Sequence, residues 1–388
     1  MYCTRNRETA EFAPPFLHYN GPMRLRLLVL ALFLSACGTP TPTAPPTPAA
    51  LEAAIVADTP TPTLVPSPTA TPSVDQWISP YTIDGLRSHE FQSGKVTVLE
   101  TLEKTEVYTR YRISYPSDGL TITGVLQIPA EGREPFPVIV MNHGFFPRWQ
   151  YLSGDGTDRA AEFLNRRGYL TVASDYRSWG GSDEGPSLFY SGLAIDIVNL
   201  IRALPSIPQA DPSRVGMWGH SMGGGVTMKV LMLGAPVRAA VLYSTVSADN
   251  ADLVERWGMG CVGDVAEGEA RYGCNSSDVL PESLPQGLIS AYEFAALDPD
   301  LNQAVSPFYH LDLVQVPVQI HYGTADGADY GGTPPEWSKK LQQGLVDADR
   351  PVETFAYEGE KHSFFADEWF AFMERAVTFF DIHVKNAP

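Results

Sequence analysis

Gly219-His220-Ser221-Met222-Gly223-Gly224-Gly225 sets a serine among small residues, after an apolar run and ahead of an apolar helical stretch. This is a G-x-S-x-G pattern at a strand-to-helix junction, where a strained turn lifts a serine Oγ above the sheet. A serine hydroxyl is a weak nucleophile and needs a base within hydrogen-bond reach. Of the eight histidines, His18 falls in the leader, His220 adjoins the serine, His321 lies inside a strand-like run and His383 is near the terminus. His362, in Gly359-Glu360-Lys361-His362-Ser363-Phe364, follows the last strand-like run on a loop, where a base can hang over a sheet edge. In the chain order serine, acid, histidine, the acid follows the preceding strand. Asp326, at the end of His321-Tyr322-Gly323-Thr324-Ala325-Asp326, is the candidate, with Asp329 competing. An oxyanion needs preorganised N–H groups. Met222, directly after the serine, offers one; Phe145, in Asn142-His143-Gly144-Phe145, offers the other. His143 reads as a turn residue whose ring is an alternative donor. Trp149, Trp179 and the Phe145-Phe146 pair are as ready to pack as to line a pocket.

These residues need a scaffold that brings distant loops to one edge. Short apolar runs at 137–142, 169–174, 214–218, 239–244, 316–322 and 352–357 read as strands buried on both faces of a parallel sheet. Runs at 107–115 and 120–128, joined through Pro116-Ser117-Asp118-Gly119, read as an antiparallel hairpin. Helical patterns occupy 158–167, 192–203, 222–233, 335–346 and 365–383. Alternation of this kind predicts an α/β fold: an eight-stranded, mostly parallel sheet with helices on both faces. The stretch 248–313, rich in Gly, Asp and Pro, exceeds what a connector needs and reads as an inserted cap.

The amino end reads as an address. Met23-Arg24-Leu25-Arg26 is positively charged and residues 27–34 are apolar throughout. A helix of that length spans only about 12 Å of a ~30 Å hydrocarbon layer, so it fits a signal peptide and not a membrane span. Leu34-Ser35-Ala36-Cys37-Gly38 resembles the lipobox of bacterial lipoproteins, in which the cysteine receives lipid. Ten prolines then fall between Gly38 and Asp75, in a Thr/Pro/Ala tract expected to stay extended as a stalk. The expected organisation is a leader and signal peptide at 1–37, a stalk at 38–75 and one α/β domain at 76–388, held outside the cytoplasm on a bacterial membrane. Cys261 and Cys274 then sit in an exported, irregular stretch where a disulfide is permitted. No Cys/His cluster has metal-ligand spacing, and neither metal nor organic cofactor is implied. With 45 acidic against 27 basic side chains and a formal charge of −18, nucleic acid is excluded as a partner.

Taken together, SDGLTITGVLQIP, VIVMNHGFFP, GYLTVASDYRSWGGSDEG, VGMWGHSMGGG, HYGTAD and GEKHSF resemble the catalytic domain of the prolyl oligopeptidase family of α/β hydrolases, from Arg110 to the end. The resemblance implies an eight-stranded sheet and a Ser-Asp-His triad, here Ser221, Asp326 and His362. It departs from that family in two places. A stalk and short lead-in stand where family peptidases carry a β-propeller, and His143 precedes Gly144 where several members supply an oxyanion tyrosine. The expectation is a serine hydrolase acting on small esters or peptides through an acyl-enzyme. The alternatives are a carboxylesterase or acetyl esterase without peptidase activity, and a ligand-binding lipoprotein without catalysis.

Overall fold

The computed structural model describes residues 72–262, 274–281 and 283–387. The expected signal peptide, Cys37 and nearly all of the stalk lie outside the described residues. The last few stalk residues do not extend as expected: Ser73 and Gln76 form a reciprocal capping box that starts a helix at Val74–Ile78.

Strands β1 (Thr97–Lys104), β2 (Tyr108–Ser117), β3 (Leu120–Pro129), β4 (Phe136–Asn142), β5 (Leu170–Ser174), β6 (Ala210–His220) and β7 (Ala239–Tyr243) come first in the chain. After β8 (Gly260–Val262) and β9 (Asn275–Leu280), β10 (Val318–Gly323) and β11 (Val352–Tyr357) follow. The main sheet runs β1-β2-β3-β5-β4-β6-β7-β10-β11. It is parallel from β5 onward and antiparallel through β1, β2 and β3. All eight expected strands are present, and β1 is a ninth. Its eight residues are exposed throughout, so this edge strand has no apolar alternation to announce it. The β2–β3 hairpin closes more tightly than expected. Pairing reaches Ser117–Leu120, leaving only Asp118 (φ 50°) and Gly119 (φ 81°), the left-handed pair that a two-residue turn requires.

Strand alternation splits the core in two. Val138, Val140, Met217, Leu242 and Ile320 face the helices Ser191–Ala203, Met222–Met232 and Pro335–Asp347. Ile139, Met141, Trp218, Val241 and Tyr243 face Asp158–Asn165 and Ala366–Phe380. The register then does the positioning. Asn142 pairs with Gly219, His220 with Tyr243, Tyr243 with His321 and Gly323 with Tyr357. The loops after β4, β6, β10 and β11 therefore leave the sheet at one carboxyl edge, where α/β sheets place their ligands.

Between β7 and β10 the chain builds helices Asn250–Trp257, Gln286–Ala295 and Pro299–Val305 and a two-stranded β8–β9 ladder. A separate apolar cluster joins Leu280, Leu288 and Tyr292 of this insertion to Ile78 and Phe189. Cys261 and Cys274 are joined by a disulfide.

Candidate active site

Ser221 sits at φ 55°, ψ −122°, a strained conformation for a residue with a side chain, between the end of β6 and the first turn of Met222–Met232. Its backbone is fixed on both sides. The N–H donates to Tyr243 O (3.0 Å), and the carbonyl accepts from Gly224 N (2.9 Å) and Val246 N (3.1 Å). Gly223 is obligatory: a Cβ there would lie 2.0 Å from Asn142 O. Gly144, on the β4 loop, comes so near that its own Cβ would stand 3.1 Å from Ser221 Cβ. The β4 loop is thus pressed against the serine. Met222 opens its helix, so its N–H has no intrahelical acceptor.

His362 and Asp326, far apart in sequence, meet at the same edge: His362 Nδ1 lies 3.0 Å from Asp326 Oδ2 and 3.2 Å from Oδ1. Asp326 is buried and its remaining lone pairs are filled. Gly327 N (2.7 Å) and Thr333 N (2.9 Å) donate to Oδ1, and Thr333 Oγ1 donates to Oδ2 (2.7 Å). Burial pushes this carboxyl up, but the His362 ring and the Thr333 donors outweigh it and hold it below the usual carboxylate range. Asp329, the competitor, points to solvent with its side chain 79% exposed and pairs with Lys361 (3.3 Å). Thr333 carried no sequence signal, because the loop that returns it to Asp326 is irregular.

His220 connects the two halves of the site. Its ring stacks on Tyr243, and its Nε2 lies 3.1 Å from the carbonyl oxygen of His362. A carbonyl only accepts, so Nε2 carries the proton. Burial, reinforced by the His362 ring, pushes His220 down to about 3, so it stays neutral in this role. His143 is fully buried, with Nδ1 2.7 Å from Gly144 O and Nε2 3.3 Å from Asp175 O. Both nitrogens face carbonyls, which leaves neither for an oxyanion. Trp179 is buried with its Nε1 donating to Phe146 O, while Trp149 is 77% exposed. Of the four aromatics weighed, Phe145 alone borders the cavity.

That cavity, of about 240 Å³, touches Ser221 and Met222 and is walled by Phe145, Tyr190, Val246, Trp257, Cys274 and Tyr330, with Asn275 and Ser277 behind. Among the described residues, none that lines it is charged. Tyr190, Trp257 and the disulfide come from outside the expected pocket, and only the folded chain brings them together.

Residues 138–376 match the alpha/beta hydrolase family, over more than half of the sequence. The chain belongs to the alpha/beta hydrolase family. Among relatives of this hydrolase, Esterase FrsA of Yersinia enterocolitica is 30% identical over 124 residues, 32% of this chain and 28% of that protein. The chain spans less than half the length of the curated relatives it matches. Acylaminoacyl peptidase of Pyrococcus horikoshii superposes with a TM-score of 0.54 at 19% identity, covering 74% of this chain and 44% of that one. Acetyl xylan esterase 1 of Thermoanaerobacterium sp. JW/SL YS485 gives 0.53 at 15% identity, covering 79% and 92%. At such identities the two structures establish the shared fold.

Proposed function

We propose that this alpha/beta hydrolase is a serine hydrolase that turns over short-chain carboxylic esters well and peptide bonds more slowly. The observation that carries the reading is the hydrogen-bonded pair of His362 and the buried Asp326 on the same sheet edge as the strained Ser221. In this reading Ser221 Oγ attacks the substrate carbonyl as His362 Nε2 takes its proton. The proton then passes to the leaving oxygen or nitrogen, and water repeats the sequence to release the acid. Asp326 holds Nδ1–H and stabilises the imidazolium. The N–H groups of Met222 and Phe145 receive the oxyanion. The Ser221 hydroxyl makes no hydrogen bond to another described residue, a looseness common in enzymes without bound substrate.

The cavity supports the substrate class. It is about 240 Å³ in volume, and its described walls, uncharged throughout, suit a small neutral acyl chain. An alkoxide leaves more readily than an amine, which must be protonated as the intermediate collapses, so amides ask for better positioning. A matched panel of p-nitrophenyl esters and peptide anilides tests this. The expected kcat/KM peaks at short esters, and Ser221→Ala loses fluorophosphonate labelling and about a millionfold in turnover. An anilide that equals the best ester, or a mutant that still labels, overturns the reading.

The run at 27–34 followed by Leu34-Ser35-Ala36-Cys37 supports a second proposal, that lipid on Cys37 holds the enzyme outside the cytoplasm on a bacterial membrane. Cys37→Ser is expected to move it to the soluble fraction; a leader-cleaved mutant that still sediments with membranes contradicts this.

A further inference from the structure

The helix Asn250–Trp257 opens the insertion, and its last turn grips the loop that carries Asp326. Arg256 Nη2 donates to the carbonyls of Gly327 (3.1 Å) and Asp329 (2.9 Å), and Trp257 Nε1 donates to Tyr330 O (2.9 Å). The same loop turns its Gly327 and Thr333 N–H groups inward to Asp326 Oδ1. Its N–H groups therefore hold the acid, while its carbonyls are held by the insertion. The other end of the helix is fastened as well. Lys340 Nζ lies 2.8 Å from Asp249 Oδ2 and 3.0 Å from Asp252 Oδ2, and Lys340 belongs to the helix that begins just after the loop.

The loop needs such support. Gly327 stands at φ 81°, and Gly331 and Gly332 follow, so the segment has much backbone freedom to lose. Trp257 and Tyr330, which share one of the hydrogen bonds, also wall the cavity beside Ser221. Trp257 and Tyr330 thus belong both to the cavity wall and to the contact that braces the acid's loop.

We propose that Arg256 and Trp257 are positioning residues for Asp326, which makes the insertion part of the catalytic apparatus as well as a cover over it. The proposal rests on Asp326 being the acid of the triad. Misplacing a supporting residue by about 1 Å can cost on the order of a hundredfold in rate. Arg256→Met removes two donors while keeping the aliphatic stem, and Trp257→Phe keeps an aromatic wall while removing the third.

The test is a double-mutant cycle with Asp326→Asn, read as kcat and KM on the best short ester. Arg256→Met is expected to lower kcat roughly ten- to a hundredfold with KM within about twofold. Trp257→Phe should give a smaller fall of the same kind, and Arg256→Lys should recover part of the loss. In the Asp326→Asn background both effects should vanish, because no carboxylate remains to be positioned. A loss of the same factor in that background, or one confined to KM, overturns the proposal while leaving the triad intact. Near-wild-type turnover by Asp326→Asn alone overturns the triad assignment and this proposal with it. If Arg256→Met does not fold, the Trp257→Phe cycle decides the question by the same criteria.

Discussion

Two turns at the carboxyl edge carry the candidate chemistry, and they are built in opposite ways. The elbow around Ser221 is fixed by the sheet beneath it: Tyr243 O and Val246 N come from the neighbouring strand and its loop, and Asn142 O packs on Gly223. The loop around Asp326 is irregular; its own Gly332 N–H reaches Asp329 O (3.0 Å), and three further donors to its carbonyls come from the insertion. A turn of the first kind needs only the right residues at the right spacing. A turn of the second kind depends on a segment that enters the chain some seventy residues earlier, so its geometry can fail without any change in its own sequence.

The sharpest way to break this comparison is at the acid itself. Asp326→Asn is expected to reduce kcat on the best ester by about 10⁴, because the amide favours the wrong imidazole tautomer. Asp329→Asn, whose carboxylate faces solvent and Lys361, should stay within about twofold. The reverse pattern would move the acid to Asp329. Thr333→Val grades the loop's internal support: it is nearly isosteric, keeps the Thr333 N–H and removes the hydroxyl that lies 2.7 Å from Asp326 Oδ2 and 3.0 Å from Ser244 O. A fall in kcat of about tenfold is expected, in line with one hydrogen bond to a charged group. Unchanged kcat would mean that the two backbone donors suffice.

The same contrast separates what was legible in the sequence from what was not. Ser221, Met222 and the strand before them are local: glycine spacing, an apolar run and a helical pattern lie within a dozen residues, so type and order were enough. His362 and Asp326 are the residues that chain order points to, and the parallel register that brings them to one edge follows from buried strands such as β4. Thr333, Arg256 and Trp257 were not legible. Each acts across an irregular segment, where hydrophobic periodicity, the main signal in a sequence, is silent. The strand β1 was missed for a related reason, since all eight of its residues face water. The cavity lay between these cases. Phe145 is legible from its loop, whereas Tyr190 lines the cavity from a turn in which Phe189 and Tyr190 adopt left-handed backbone (φ 53° and 61°), which residue type does not foretell.

Even the self-contained elbow has a polar tie to the insertion, and this gives the smallest effect. Lys229, on the elbow helix, is fully buried and donates from Nζ to Phe189 O and to Val305 O (3.0 Å), the last residue of an insertion helix. Asp278 of β9 accepts from the N–H groups of Phe189 (3.1 Å) and Tyr190 (3.2 Å), so Lys229 and Asp278 clamp the left-handed turn from either side. Burial pushes the Lys229 ammonium down to about 7, against the pull of Asp278. An unfolded lysine titrates near 10.4. Between these values the unfolded chain binds a proton that the folded chain lacks, so the free energy of unfolding rises with pH, by at most about 1.4 kcal/mol per unit from this group. Lys229→Met leaves two carbonyls without a donor and lowers stability overall, which makes slope, and not level, the informative quantity. In urea melts between about pH 7.5 and 9.5, the wild-type slope should exceed that of Lys229→Met by roughly 1 kcal/mol per unit. Equal slopes would show that Lys229 stays charged in the fold.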